Sequence, residues 1–131
     1  MNYAQHKRHG FTLVEIMIVV AVIALLAAIA LPNFLRARKR SQATRVLEDL
    51  RILDYALDRW TIENNKSIGD VAALSDLTPY IKNGSPLAQG VDLLGHSFSA
   101  TFSVDSTPKV PPPTFDVLSD VAPVAFWSPF D

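Results

Sequence analysis

The sequence predicts an α+β chain, in which a long N-terminal helix with a membrane-spanning half and an amphipathic half packs on a small C-terminal antiparallel sheet. Three observations carry this. From Phe11 to Leu31 the only ionisable side chain is Glu15. From Ala43 onward, apolar residues Val46, Leu50, Leu53, Leu57 and Trp60 recur at spacings of 4, 3, 4 and 3, the period of one helical face. Beyond residue 66 the turn formers Gly, Pro and Asn are dense, and one stretch alternates strictly between apolar and polar side chains. These patterns divide the chain into a polar leader (1–10), a membrane-spanning helix (11–35), an amphipathic helix (36–65) and a small β-rich globular head (66–131).

Composition narrows the function classes. A chain of 131 residues with 49% hydrophobic and 19% charged side chains is too apolar for a disordered tail and too short for a multidomain enzyme. Twelve Lys/Arg against thirteen Asp/Glu nearly cancel, but residues 1–51 hold eight basic and three acidic groups while residues 68–131 hold two and seven. The charge is polarised along the sequence. The absence of cysteine excludes disulfides, thiolate metal sites and thiol catalysis.

The leader, MNYAQHKRHG, ends at Gly10, and the apolar span follows at once. Its twenty-one residues reach roughly 31 Å as a helix, against about 30 Å for a bilayer's hydrocarbon core. A buried core helix is the alternative, but residues 16–31 carry no charge and offer no polar face to water. A secretory signal is the other rival, with Lys7 and Arg8 as its basic region and Ala28-Ile29-Ala30 as a small-x-small site. Glu15 at the start of the apolar region, and the length of that region, weigh against it. Counting Lys7 and Arg8 before the span against Arg36, Arg38, Lys39 and Arg40 after it would place the C-terminal body in the cytoplasm.

Residues 10–32, GFTLVEIMIVVAVIALLAAIALP, resemble the N-terminal segment shared by type IV pilins and the pseudopilins of type II secretion systems. The features that carry the resemblance are a basic leader ending in Gly10, then Phe11, Thr12, a glutamate at the fifth residue past the scissile bond, and Pro32 near the far end. The resemblance implies a pilin-like fold, and cleavage between Gly10 and Phe11 by a prepilin peptidase with methylation of the new Phe11 amine. It also implies a single pass through a bacterial inner membrane with the N-terminus cytoplasmic, which overrides the charge count. The body would lie outside, in a periplasmic or cell-surface filament. The partners implied are further copies or related pilins, an inner-membrane assembly platform and membrane lipid. Glu15 and Thr12 are implied in assembly and Pro32 as a helix break.

Physical chemistry gives Glu15 a reason. A carboxylate in a membrane span needs a partner or a function. Cleavage would free an amine at Phe11, cationic near neutral pH with a reference pKa of about 7.7–8.0, within one turn of Glu15 or beside the Glu15 of a neighbouring subunit. A headgroup-level position for Glu15 is the alternative. Pro32 cannot donate a backbone hydrogen bond, so the helix bends or melts there, or else it terminates and restarts near Phe34.

In the second half of the helix, Arg45/Asp49 and Arg59/Glu63 are i,i+4 pairs off the apolar stripe, and the helix is expected to fray by Asn64-Asn65. The head carries a strand over residues 97–104, a second near 125–127 and a short helix over 71–77. So little sheet makes a poor independent core, and the head is expected to need the 46–60 stripe. Residues 92–98, following Tyr80-Ile81-Lys82, are weakly similar to the lead into the first strand of major pseudopilins, without the usual proline and tryptophan. Asp116, Asp120 and Asp131 are too dispersed for a calcium loop, and no cysteine-closed loop exists.

For function, His96 is the one histidine beyond the leader and has no acid–base partner nearby in sequence; no Gly-rich phosphate loop, cofactor motif or metal constellation accompanies it. An enzyme is not expected. The run Arg36, Arg38, Lys39, Arg40 lacks interleaved aromatics, so lipid headgroups or acidic neighbours suit it better than nucleic acid. The reading is a structural filament subunit, with a slight tilt to a type II secretion pseudopilus. The alternatives are a type IV pilus subunit and a membrane-anchored binding module that does not polymerise.

Overall fold

The computed structural model describes residues 10–131; the leader through residue 9, with Lys7 and Arg8, lies outside the described residues. In chain order the elements are α1 (Leu13–Glu63), β1 (Val71–Ala73), α2 (Leu74–Leu77), two 3₁₀ turns (Thr78–Tyr80 and Pro86–Gln89), β2 (Thr101–Ser103), α3 (Pro112–Leu118) and α4 (Val124–Trp127). The architecture is α+β, with a long helix packed against a two-stranded antiparallel sheet. The chain divides into two units, Met1–Leu35 and Arg36–Asp131.

In the first unit every residue from 10 to 35 is exposed. α1 continues on both sides of Pro32. That proline leaves the Ala28 carbonyl without its helical donor, and the Asn33 side-chain amide donates to the adjacent Ile29 carbonyl at 3.3 Å.

In the second unit α1 lays one stripe into the core. Val46, Leu50 and Leu53 are fully buried, and Leu57 and Trp60 nearly so, with the small Ala43 and Ala56 between them. The facing side is assembled from Leu77, Phe98, Phe102, Leu118 and Trp127. Each fully buried leucine contributes about 1.5–3 kcal/mol relative to exposure. The helix stops where expected: Asn65 takes a left-handed φ of 49°, the Asn64 side chain caps the Trp60 carbonyl at 2.8 Å, and the Lys66 N–H returns to the Thr61 carbonyl at 2.9 Å.

The sheet pairs Ala72 with Phe102 at its centre, flanked by Val71 with Ser103 and Ala73 with Thr101. It is shorter than the alternation in residues 97–104 predicts. Ser97 makes an isolated antiparallel bridge to Val91, and the Phe98 N–H bonds the Gly90 carbonyl. The chain bends at Ala100 before joining β1, so Phe98 and Phe102 stay buried while Ala100 is exposed. Gly90 permits the close pass: its φ is +78°, and a Cβ there would collide with the Leu74 side chain.

Two other expectations are corrected. The strand placed near 125–127 is the four-residue helix α4, entered from Pro123, with the Trp127 indole donating to the Ala122 carbonyl at 3.1 Å. Three consecutive apolar residues do not separate a period of 2 from one of 3.6. The short helix placed over 71–77 is strand β1 followed by α2, the change of conformation falling at Ala73, whose N–H bonds the Asp76 carboxylate at 2.9 Å. The segment expected to be β-rich therefore holds two three-residue strands among short helices and turns.

Two buried carboxylates face this core. Asp92 is fully satisfied: its Oδ1 accepts the Leu94 N–H at 2.8 Å and the His96 N–H at 2.9 Å, and its Oδ2 takes the Thr114 hydroxyl. Among the described residues, Asp49 on α1 has one charged partner, the Arg45 guanidinium 3.9 Å away. Burial pushes the Asp49 carboxyl above the usual carboxylate range, Arg45 opposes the shift, and Asp92 adds to it.

Two outcomes follow from this packing. A truncation beginning at Arg40 folds and melts cooperatively by circular dichroism, whereas one beginning at Lys66 gives no cooperative transition, because Phe98, Phe102 and Trp127 then lose the stripe that covers them. The raised pKa of Asp49 means that the fold prefers its protonated form. The penalty is absent below the ordinary carboxylate pKa of about 3.9 and grows as pH rises through the folded-state value. Asp49→Asn therefore raises Tm at pH 7, and the gain shrinks to nothing in melts run below about pH 4.

Candidate functional site: the start of α1

The start of α1 combines a large exposed apolar side chain, a hydroxyl and the span's one carboxylate. Phe11 is 86% exposed and precedes the helix. Thr12 is its cap. The Thr12 N–H and hydroxyl both donate to Glu15 Oε2, at 2.8 and 3.0 Å, and the Glu15 N–H returns to the Thr12 oxygen at 3.3 Å. This reciprocal pair is a capping box, which satisfies backbone donors that the first turn otherwise leaves open. The carboxylate also meets the positive end of the helix dipole.

The sequence reading joined Thr12 and Glu15 only through a family resemblance. It missed the local signal, a threonine followed three residues later by a glutamate just ahead of an apolar run. Gly10 is exposed, and a Cβ there would meet nothing within 4 Å among the described residues, so packing against them supplies no reason for a glycine at that point. Pro32 lies inside the same helix, away from this cluster in sequence.

Of the basic run, Arg36, Arg38 and Arg40 are exposed, while the Lys39 ammonium sits between both Asp120 oxygens at 3.0 and 3.1 Å. With both partners about half exposed, that pair is worth about 0–1 kcal/mol. Asp116, Asp120 and Asp131 are all exposed.

His96 does acquire partners that its sequence neighbourhood does not suggest. Its Nδ1 lies 2.7 Å from the Thr114 hydroxyl, which in turn bonds the buried Asp92 carboxylate. The Thr114 hydroxyl donates to the Asp92 carboxylate, and the imidazole Nδ1 lies against the same hydroxyl oxygen. The chain of bonds clasps α3 to the turn at 92–96.

Comparison with known proteins addresses the start of α1. A family model described as the prokaryotic N-terminal methylation motif matches residues 5–31. The chain is 44% identical over 68 residues to the type IV wide pilus major component PilA4 of Thermus thermophilus, covering 52% of each chain. It is 31% identical over 67 residues to the type II secretion system core protein G of Pectobacterium carotovorum, covering 50% of this chain and 43% of that one. It is 49% identical over 60 residues to the type IV major pilin protein PilA of Myxococcus xanthus, covering 46% and 27%. The chain thus spans about half or less of the length of the curated relatives it matches. No solved structure matches it. Residues 5–31 thus match the prokaryotic N-terminal methylation motif, and the chain is similar both to type IV pilins and to the type II secretion system core protein G.

Proposed function

We propose that this chain is a non-catalytic structural subunit of a helical filament assembled at a bacterial inner membrane. The observation that carries the reading is the first unit of the fold: residues 11–35 expose apolar side chains on every side of a helix and interrupt them with one carboxylate at the tip. No face of that helix suits water. A bilayer covers such a surface in a stored subunit, and the same helices of neighbouring subunits cover it in a polymer. Both pili and type II secretion systems are represented among the relatives, so the tilt of the sequence toward a pseudopilus gains no weight, and the reading stands at what the two share.

In this reading the leader is removed between Gly10 and Phe11 by a prepilin peptidase and the Phe11 amine is methylated. An exposed glycine with no intramolecular role suits a requirement set by a processing enzyme. The mature subunit crosses the inner membrane once with its N-terminus cytoplasmic, and an assembly platform extracts it into the filament. Glu15 then pairs with the Phe11 amine of a neighbour and sets the axial register. Thr12 holds the carboxylate at the helix tip until then. A monomeric membrane-anchored binding module would share the span and the head but would need neither the cleavage nor Glu15.

Intact mass of the membrane-extracted protein tests processing: the expected product starts at Phe11 and carries one added methyl, whereas a product starting at Leu31 would establish a cleaved signal instead. Substitutions at Glu15 test assembly. Glu15→Ala inserts normally but gives few or no filaments in shear fractions and electron micrographs. Glu15→Gln keeps a side chain that can complete the capping box while removing the charge, and it is expected to fail as Glu15→Ala does. Normal filament yield from Glu15→Gln would assign Glu15 to capping and overturn the register pairing.

A further inference from the structure

Just past the apolar segment, α1 and the connection between α3 and α4 enclose a hollow of about 420 Å³, lined by Arg36, Ala37, Arg40, Asp120 and Val121. Arg36 and Arg40 stand one turn apart on the same helix face, a spacing at which two side chains reach a common point. Neither makes an ion pair among the described residues. The one carboxylate in the lining, Asp120, is bridged by the Lys39 ammonium through both oxygens, so it offers the two guanidiniums little competition. Ala37 and Val121 add apolar surface to its lining.

We infer that Arg36 and Arg40 form a site for the phosphate of an anionic phospholipid headgroup. Guanidinium groups bind phosphate oxygens in forked pairs, and two of them beside the apolar side chains of Ala37 and Val121 suit a phosphodiester that continues into glycerol and acyl chain. The place in the chain selects lipid. Arg36 directly follows residues 11–35 on the same helix, and a side chain immediately beyond a span of hydrocarbon thickness lies at headgroup depth. The site also accounts for a feature that the charge pattern leaves odd: four cations directly after the span, on the side that the proposed topology places outside the cytoplasm. Their role is to hold a lipid, not to set orientation. This inference rests on the membrane-anchored part of the proposed function and not on polymerisation.

The test uses the full chain in nanodiscs of mixed phosphatidylglycerol and phosphatidylcholine, with bound lipid read by native mass spectrometry after release. The wild type is expected to retain phosphatidylglycerol over phosphatidylcholine, and Arg36→Gln/Arg40→Gln to weaken that retention by about thirtyfold. The control Arg51→Gln/Lys82→Gln, with the same charge loss away from the hollow, leaves retention unchanged. Arg36→Lys/Arg40→Lys keeps the charge but not the fork, and gives an intermediate loss. Equal retention of the two lipids, or an equal loss in the control, would reduce the effect to general surface attraction and overturn the site. Displacement of the lipid by inorganic phosphate at equal concentration would assign the hollow to free phosphate. If Arg36→Gln/Arg40→Gln kept its lipid but no longer entered filaments, the arginines would serve an acidic surface of a neighbouring subunit and the lipid site would fall. None of the lipid measurements needs a filament, so their failure leaves the filament reading standing, and an absence of filaments leaves the lipid result standing.

Discussion

The stripe Val46, Leu50, Leu53, Leu57 and Trp60 is the constraint on which the folded unit depends. The rest of that unit contains two strands of three residues and helices of four and seven, none long enough to bury a face on its own. The stripe supplies a rigid apolar row, and Phe98, Phe102 and Trp127 close onto it from segments far apart in sequence. What the short elements lack in regular hydrogen bonding they recover from side chains: Ser85 caps the second 3₁₀ turn, Asp76 holds the entry to α2, and Asp92 ties the turn at 92–96 and reaches α3 through Thr114. Local polar clasps position the segments, and the helix stripe provides the burial that makes positioning them worthwhile.

The same helix meets the opposite condition in its first unit. Apolar residues there recur without a polar side, and none is buried. One continuous element thus carries two kinds of surface: a full apolar circumference, which the proposed function assigns to lipid or identical helices, and a single stripe for a core. The change falls at the basic run, where Arg36 follows Leu35 and the buried pattern begins at Ala43. The polarity of the sequence is therefore an instruction about environment as much as about fold, and the carboxylate of Glu15 stands out as the one ionisable side chain between residues 11 and 35. Its bonds to Thr12 give it donors within its own chain.

Legibility in the sequence followed length and period. α1 was readable because an uninterrupted apolar run and then a spacing of 4, 3, 4 and 3 persist over many turns, and its end was readable because Asn tolerates a left-handed φ. β1, β2 and α4 were not readable at their true bounds, because three or four residues hold less than one full period of either pattern. The alternation in residues 97–104 correctly marked Phe98 and Phe102 as buried, yet it could not reveal that the chain changes pairing partner between them. In the candidate site, Gly10, Phe11 and Glu15 stood out by composition alone, and the role of Thr12 was written in a four-residue signature that went unused. The Asp92–Thr114–His96 clasp joins groups up to 22 residues apart, and no local pattern encodes a contact of that range.

Pro32 shows how the two environments divide one element's energetics. It removes a backbone donor from the middle of α1, and the Ala28 carbonyl it deserts must find another partner. In water that partner is solvent and the loss is small. In hydrocarbon no solvent is present, and the carbonyl is satisfied only by a local change of helical geometry, a nearby polar side chain or a neighbouring helix. The Asn33 amide, bonded to the next carbonyl at Ile29, already brings a polar donor to this turn. The proline also lies near the far end of the apolar run, with Arg36 one turn beyond it, so in the proposed membrane-anchored subunit this turn would stand close to the interface, where water can serve the orphaned carbonyl. In the proposed filament, identical helices would replace lipid around this segment and withdraw that supply of water. On that proposal, the turn before Pro32 is where the backbone would have reason to change on polymerisation, because the carbonyls of residues 13 to 27 keep their helical donors in either setting.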